Sequence, residues 1–330
     1  MKEILSIENL VVRYHTDSGT VNALNGVNLK LMEGETLGLV GETGAGKTTL
    51  AKSIMRLIPS PPGKIEEGAI IYDGKDLVTE SDAVIRSIRG NKISMIFQDP
   101  MSSLNPVITV GEQIAEVIET HHNISKAEAR EKAAEMLETV GIPGERAGDY
   151  PHQFSGGMKQ RVVIAIALSC NPHILIADEP TTALDVTIQA QVLEMMRELK
   201  AKYNTATILI THDLGVVAQM CSRVAIIYAG EIVETGNLRD IYKKTAHPYT
   251  RGLLGAIPQI HSDVRRLSPI DGLMPDPMVV REGCQFAERC KFAREECHKK
   301  HPELQNVSGI HFTRCLFPNI LNEGDESWQI

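Results

Sequence analysis

The 330-residue chain lacks a long apolar segment, a signal-peptide-like start and an excess of positive charge. Its longest aliphatic run, residues 162–168, is far shorter than the roughly 20 residues that cross a membrane. Residues 1–8 contain no apolar core of signal-peptide length. The net charge of −8 argues against a surface that coats nucleic acid. We therefore expect a soluble, cytosolic protein of one large or two modest domains.

The sequence does contain a phosphate-binding loop. Its residues 41–49, GETGAGKTT, fit the pattern G-x-x-x-x-G-K-[ST]. A short apolar strand at 36–40 precedes the loop and a predicted helix at 50–58 follows it, which is the order that this motif requires. In such a loop the backbone N–H groups surround phosphate, the lysine reaches the β- and γ-phosphates and the hydroxyl binds Mg²⁺. The predicted ATP-binding residues are Gly41, Thr43, Gly44, Ala45, Gly46, Lys47, Thr48 and Thr49.

Two acidic residues end an apolar strand at 174–178. Asp178 closes this strand and Glu179 follows it directly. In a protein with a phosphate-binding loop, Asp178 is placed to hold the Mg²⁺ shell, and Glu179 can activate a water for attack on the γ-phosphate. The next apolar strand, 207–211, delivers His212, which we predict to contact the γ-phosphate.

Alternation of apolar and polar residues predicts further strands. Residues 4–40 look like antiparallel strands, in which a turn at Glu33-Gly34 leads back into 35–40. Residues 93–97 are another strand candidate, and Gln98 lies at its end.

Helical signals dominate residues 100–165. Ser125 and Glu128 match a capping box, which opens a predicted helix that continues through residue 140. Ser155 is a natural N-cap, and the two glycines after it leave backbone N–H groups available to an anion. A further helix, predicted at 187–203, has its methionines in the protein core.

Taken together, these motifs resemble those of an ABC-transporter ATPase over residues 1 to about 235. The shared motifs, in chain order, are the phosphate-binding loop, Gln98, Ser155-Gly156-Gly157-x-x-Gln160-Arg161, Asp178-Glu179, Ala183-Leu184-Asp185 and His212. The segments FQDPMSSLNP (97–106), EPTTALDVT (179–187) and HPYTRGLL (247–254) are similar to those of bacterial dipeptide and oligopeptide importers. Phe154 stands where the wider superfamily usually has Leu, and Thr43 and Ala45 stand where Ser is common. Neither departure removes a hydrogen-bond donor that phosphate binding needs.

The resemblance implies an α/β fold, an ABC-type nucleotide-binding domain at 1–235 with a RecA-like core, an antiparallel β-subdomain and a helical subdomain at about 100–165. A C-terminal extension would occupy 236–330. Within one subunit, Tyr14 would stack on adenine, although from spacing alone it is an ordinary strand tyrosine. Gln98 would join Thr48 and Asp178 in the Mg²⁺ shell and sense the transport partner. His212 would orient the water that Glu179 activates.

Other implied roles involve a second subunit. Ser155, Gly156, Gly157 and Gln160 would bind ATP held by the opposite subunit, and Asp185 would lie at the dimer interface. The pair is usually two different ATPase subunits, with a homodimer as the alternative. It would dock on two membrane permeases at the inner face of the cell membrane, where an extracytoplasmic binding protein supplies the peptide and no nucleic acid takes part.

Other functions fit the sequence less well. Importers of nickel or another small solute share this type of tail, so they remain an alternative. Non-transport ABC ATPases usually carry a coiled-coil insert, zinc modules or tandem ATPase copies, and none is visible. A P-loop kinase is a further alternative, in which the nucleophile is the hydroxyl group of an acceptor molecule. The glutamate directly after Asp178 favours water as the nucleophile instead.

Four of the six cysteines lie in the tail: Cys284, Cys290, Cys297 and Cys315. Gaps of five, six and seventeen residues separate them, whereas structural zinc sites usually contain a cysteine pair with about two to four residues between them. Disulfides are uncommon in cytosolic proteins. Four thiolates can hold a 4Fe–4S cluster, and the importer tail has a similar pattern, so we predict such a cluster, with zinc or no metal as alternatives. Cys170 and Cys221 are predicted to be buried structural thiols.

Overall fold

A computed structural model of the chain describes residues 2–182, 184–256, 270–318 and 320–322. Ala183, part of one motif above, lies outside these residues. The strands are β1 (Glu3–Thr16), β2 (Gly19–Met32), β3 (Thr36–Val40), β4 (Gly63–Tyr72), β5 (Lys75–Asp76), β6 (Ile93–Ile96), β7 (Ile174–Asp178), β8 (Ala206–Thr211), β9 (Arg223–Tyr228), β10 (Glu231–Asn237), β11 (Gln305–Ser308) and β12 (His311–Thr313). The α-helices are α1 (Lys47–Ile54), α2 (Asp82–Ile88), α3 (Pro100–Ser103), α4 (Val110–His121), α5 (Lys126–Thr139), α6 (Gly156–Leu168), α7 (Val186–Tyr203), α8 (Leu214–Met220), α9 (Leu238–Lys243), α10 (Pro248–Gly255) and α11 (Glu295–Lys299).

The chain forms two compact units, each built from several stretches. The first unit comprises residues 1–4, 31–36 and 79–210, and the second comprises 5–30, 37–78 and 211–330. The phosphate-binding loop and the tail after residue 235 therefore belong to the same unit. No helix in the described part of the chain is long and apolar enough to cross a membrane.

In the first unit, β6, β7 and β8 run parallel, with Ile93 opposite Ile174 and Ile174 opposite Ala206. All residues of these three strands are buried, as expected of parallel strands covered on both faces. Their carboxyl ends carry the predicted catalytic residues.

The helices of the first unit follow their local signals closely. The predicted helix after Ser125 is confirmed as α5: the Ser125 hydroxyl accepts a hydrogen bond from the Glu128 N–H at 3.2 Å. Gly141, just beyond the helix, has a left-handed φ of 76°, which suits its predicted role at the helix end. The methionines of α7, Met195 and Met196, are buried as predicted.

The second unit contains two sheet regions. One sheet has the strand order β2-β1-β4-β5, and β1 pairs antiparallel with β4. The other region has the order β11-β12-β10-β9-β3, in which β3 runs parallel to β9. Val27, Leu29 and Leu31 on β2 are buried, as the alternation predicts.

Two predictions for this unit are wrong in detail. Residues 36–40 were predicted to continue the antiparallel strands, but β3 leaves β2 after the turn and pairs with β9. All five β3 residues are buried, so this strand needs cover on both faces. The predicted helix at 50–58 instead begins at Lys47 and ends at Ile54, and Arg56 adopts a left-handed φ of 48° that stops it.

Candidate nucleotide site

The phosphate-binding loop runs straight into α1. Gly46 is the N-cap of this helix with a φ of 107°, a conformation that favours glycine. A Cβ at Gly46 would lie 2.8 Å from the Ala23 carbonyl oxygen, so space also excludes a side chain. No side chain in the described residues caps α1, which leaves its N-terminal dipole directed at the loop.

Lys47 is held inside this loop. Its side chain is buried, with 7 % of the residue exposed. Nζ donates hydrogen bonds to the Gly41 carbonyl at 2.7 Å and to the Glu42 carbonyl at 3.0 Å. The ammonium group is therefore positioned by the backbone of the loop that it serves.

Glu42 is held on both its backbone and its side chain by the tail. Its N–H donates to the Tyr249 hydroxyl at 2.9 Å. Its carboxylate accepts two hydrogen bonds from the Arg289 guanidinium, at 2.7 and 3.0 Å. The hydrogen bond with Glu42 raises the pKa of Arg289 above its usual value. The sequence motifs did not reveal these contacts, because the two partners of the ion pair are 247 positions apart.

The acidic pair at the end of β7 lies in the first unit. Asp178 is buried, and Glu179 follows with a left-handed φ of 48°. The Glu179 Oε2 accepts a hydrogen bond from Gln98 Nε2 at 3.0 Å and another from the Thr182 hydroxyl at 3.0 Å. The structure thus brings together two residues that were predicted separately, Gln98 and Glu179. It adds Thr182, which the sequence analysis missed because only its position three residues after Glu179 pointed to it.

The Ser-Gly-Gly segment begins α6 as predicted. The Ser155 hydroxyl accepts a hydrogen bond from the Met158 N–H at 3.4 Å. Ser155 and Gly156 are exposed. A Cβ at Gly157 would come within 2.5 Å of Ile188 Cγ2, so a side chain there would have to displace Ile188. Gln160 is 2 % exposed, and its Nε2 has no hydrogen-bond partner among the described residues.

Three other predicted site residues have identifiable local surroundings. Asp185 caps α7, where its Oδ1 accepts a hydrogen bond from the Ile188 N–H at 3.0 Å. Tyr14 is half-buried on β1 beside Gly63, where an added Cβ would be 2.9 Å from the Tyr14 ring. His212 is exposed immediately after β8. The predicted site residues thus divide between the two units, with the phosphate-binding loop, Tyr14 and His212 in the second.

The four tail cysteines line one small cavity in the second unit. Its volume is about 20 Å³, and its other lining residues are mainly apolar, including Phe286, Phe292 and Phe317. Burial, augmented by the neighbouring thiols, raises the pKa of Cys284 to about 11 and that of Cys290 to about 12. These thiols therefore stay protonated at neutral pH in the structure as it stands.

The predicted metal site at Cys284, Cys290, Cys297 and Cys315 is not supported by this geometry. Within the described residues, no group of three or more His, Cys, Asp or Glu side chains is arranged to hold a metal ion. Cys297 Sγ instead accepts from the Arg294 N–H at 3.5 Å, and Cys315 Sγ accepts from the Phe317 N–H at 3.4 Å. Cys170 and Cys221 are buried thiols, as predicted.

Comparison with known proteins identifies the family. The family model described as "ABC transporter" matches residues 24–182, and the one described as "Oligopeptide/dipeptide transporter, C-terminal region" matches residues 233–297. The dipeptide transport ATP-binding protein DppD of Bacillus subtilis is 50 % identical over 317 residues, which cover 96 % of this chain and 95 % of DppD. The chain belongs to the ABC transporter ATP-binding family.

Other members of this ABC family extend the match. The oligopeptide transport ATP-binding protein OppD of Bacillus subtilis is 49 % identical over 314 residues, covering 94 % of this chain and 88 % of OppD. Among solved structures, the ATP-binding cassette MJ0796, described as a dimer in a post-hydrolysis state bound to ADP and Pi, matches with a TM-score of 0.64 and 30 % identity. That match covers 71 % of this chain and 99 % of MJ0796. The predicted ABC ATPase fold and the ATPase class are confirmed, and ATP with Mg²⁺ is the ligand expected of this family.

Proposed function

We propose that the chain hydrolyses ATP to drive import of dipeptides or oligopeptides across the cytoplasmic membrane. The observation that carries this proposal is the combination, in one chain, of a complete phosphate-binding loop and a tail of the peptide-transporter type. The relatives named above for dipeptide and oligopeptide transport match the chain along nearly its whole length.

The proposed chemistry assigns a role to each predicted residue of the nucleotide site within one subunit. Lys47 and the N-terminus of α1 attract the phosphates, with Tyr14 against the adenine. Thr48, Gln98 and Asp178 would hold Mg²⁺, which when bound offsets charge on the β- and γ-phosphates. Glu179 accepts a proton from the attacking water while His212 orients that water.

The remaining roles concern a second subunit. Ser155, Gly156 and Gly157, with Gln160 behind them, face the nucleotide of a second ATPase subunit, and Asp185 lies at that interface. We propose a different ATPase chain as the partner, although a second copy of this chain would satisfy the same motifs. The pair works peripherally on the inner face of the membrane with two permease subunits and an extracytoplasmic peptide-binding protein.

The test combines capture with transport. Tagged chain purified from gently solubilised membranes should retain permease subunits and a second ATPase, identified by mass spectrometry. Cells should take up labelled dipeptide or oligopeptide with the wild-type chain and lose that uptake with Lys47→Ala. Uptake that Lys47→Ala leaves unchanged contradicts the proposal, and Lys47-dependent uptake of Ni²⁺ in place of peptide contradicts the substrate assignment alone.

We also propose that the four tail cysteines hold a metal centre, as a 4Fe–4S cluster rather than zinc. The support is the donor set: four thiols line one cavity with mainly apolar walls, and four cysteine thiolates can hold a 4Fe–4S cluster. The centre would stabilise the fold of the tail, since a cluster with four cysteine ligands has no open position for substrate.

Metal analysis distinguishes the alternatives. Protein purified without oxygen should be brown and contain iron and acid-labile sulfide. Cys290→Ser should lose the iron, whereas Cys170→Ser, which removes a buried thiol outside the cavity, should keep it. Colourless protein with one zinc per chain, or with no metal, contradicts the cluster.

A further inference from the structure

The tail holds one residue of the phosphate-binding loop, Glu42, by hydrogen bonds. The two Nη atoms of Arg289 donate to the two carboxylate oxygens of Glu42, and the Arg289 side chain is only 5 % exposed. The same residue anchors the inside of the loop through its carbonyl, which accepts from Lys47 Nζ at 3.0 Å and from the Ala45 N–H at 3.1 Å. Glu42 therefore links Arg289 to the groups that receive phosphate.

Arg289 is itself fixed in place. Its Nε donates to the Asp271 carbonyl at 3.0 Å. Its guanidinium lies 5.7 Å from the centre of the Tyr228 ring and 5.9 Å from that of Phe286, within the range of cation–π attraction. A planar group held from several sides loses little further freedom when it binds a carboxylate.

The segment that presents Arg289 is tied to the cysteine cavity. Arg289 directly precedes Cys290, in a turn whose first N–H, that of Ala287, donates to the Cys284 carbonyl at 3.0 Å. The Cys284 N–H in turn donates to the Cys297 carbonyl at 2.7 Å. The backbone hydrogen bonds at Cys284 thus help to determine where the Arg289 guanidinium lies.

Charge explains why this contact matters to a phosphate ligand. Glu42 places a carboxylate in a loop whose ligand carries several negative charges. A like charge left without its partner in a partly buried site weakens binding strongly. The bidentate guanidinium cancels this charge and fixes the carboxylate on the tail side of the loop.

We propose that Arg289, carried by the C-terminal extension, is a positioning residue of the nucleotide site: by holding Glu42 it fixes the phosphate-binding loop and cancels a charge opposed to the triphosphate. The extension is then a part of the ATP site rather than an independent appendage. This inference rests on the proposed binding of ATP at Lys47.

Equilibrium binding of Mg²⁺-ATP to the full chain tests the proposal. Arg289→Ala should weaken ATP binding by at least about tenfold, because the Glu42 charge is exposed to the triphosphate. The double variant Glu42→Gln/Arg289→Ala should recover most of this loss, since the opposing charge is gone although the tail no longer holds the loop. A role confined to folding the tail would not be rescued by changing Glu42.

Lys291→Ala is the matched control. It removes one positive charge two positions further along the same segment, where Lys291 pairs with Asp271 at 3.5 Å and is exposed. Its ATP affinity should stay within about twofold of wild type. Equal affinities for Arg289→Ala and Lys291→Ala overturn the proposal, as does a loss that persists in the double variant. Wild-type protein that binds ATP no better than Lys47→Ala overturns the proposed function instead.

Hydrogen exchange supplies a measurement that needs no Arg289 variant. Because coupling between two sites is reciprocal, ATP should slow amide exchange in residues 284–290 of the wild-type chain. Lys47→Ala should abolish that protection. Exchange in this segment that saturating ATP leaves unchanged, while α1 becomes protected, overturns the coupling even if Arg289→Ala fails to fold.

Discussion

Glu179, the proposed general base, has an unusual backbone conformation. Its φ of 48° is left-handed, and a residue with a side chain keeps such a conformation only when its surroundings impose it. Here the Glu179 N–H donates to the Ile210 carbonyl at 2.8 Å, and Gln98 and Thr182 hold the carboxylate. These hydrogen bonds fix the position of the carboxylate, which favours proton transfer in the proposed role.

Glu179→Gln should keep ATP binding and lower turnover by about 10²–10⁴-fold, because an amide cannot accept the proton of the attacking water. Steady-state hydrolysis and equilibrium ATP binding measure the two effects separately. Glu198→Gln, an exposed change on α7, is the control and should match wild type. Wild-type turnover in Glu179→Gln, with Mg²⁺ and partner present, refutes its assignment as the base.

Thr182→Val should lower kcat roughly tenfold with little change in KM for ATP, since one hydrogen bond that positions the Glu179 carboxylate is lost. Thr182→Ser restores the hydroxyl and should recover most of the rate. A rise in KM at constant kcat is the opposite pattern and assigns Thr182 to nucleotide binding.

Single residues also mark the limit of sequence reasoning. Roles could be proposed for Lys47, Asp178 and Glu179 from the sequence, because these residues lie in short motifs beside recognisable strands. None could be proposed for Arg289, because its partner Glu42 is distant in sequence and its meaning depends on how the tail folds.

At the level of elements, two helix starts were predicted from a cap residue and are confirmed. Ser125 and Ser155 each cap the helix expected, through a bond to an N–H three residues on. Asp185 caps α7 in the same way, which was not predicted. The errors at β3 and at the end of α1 have a different origin. Partner choice for a buried strand is non-local, and the left-handed Arg56 has no local signal of the kind that glycine provides.

The two serine caps form a matched pair for an experiment. Ser125→Ala and Ser155→Ala should each lower the free energy of unfolding by about 1 kcal/mol, since each removes one N-cap hydrogen bond. Only Ser155→Ala should also reduce ATP turnover, because Ser155 is proposed to contact the nucleotide of the partner subunit. Denaturant unfolding and hydrolysis assays measure both quantities, and equal losses of activity in the two variants contradict the proposed contact.

For the molecule as a whole, the order of motifs along the chain predicted the ABC fold correctly, because that order is specific to the family. It did not predict how the chain divides into compact units, since the second unit assembles stretches from both ends, with residues 5–30 and 211–330 in one body. The tail looked separable in sequence, yet Tyr249 and Arg289 both reach the phosphate-binding loop.

The isolated chain should be a weak ATPase whose rate depends on association. Each nucleotide is proposed to need the Ser155-Gly156-Gly157 face of a second subunit, and the cassette MJ0796 was solved as a dimer. At low concentration the fraction of chains in pairs rises in proportion to total protein, so total activity should rise with its square. Addition of the second ATPase subunit should raise the rate without raising the concentration of this chain. Gly156→Asp should suppress both increases, because Gly156 is exposed and an added Cβ there meets nothing within the chain. Activity strictly proportional to protein concentration, at dilutions where light scattering shows only monomer, would establish a site complete within one chain.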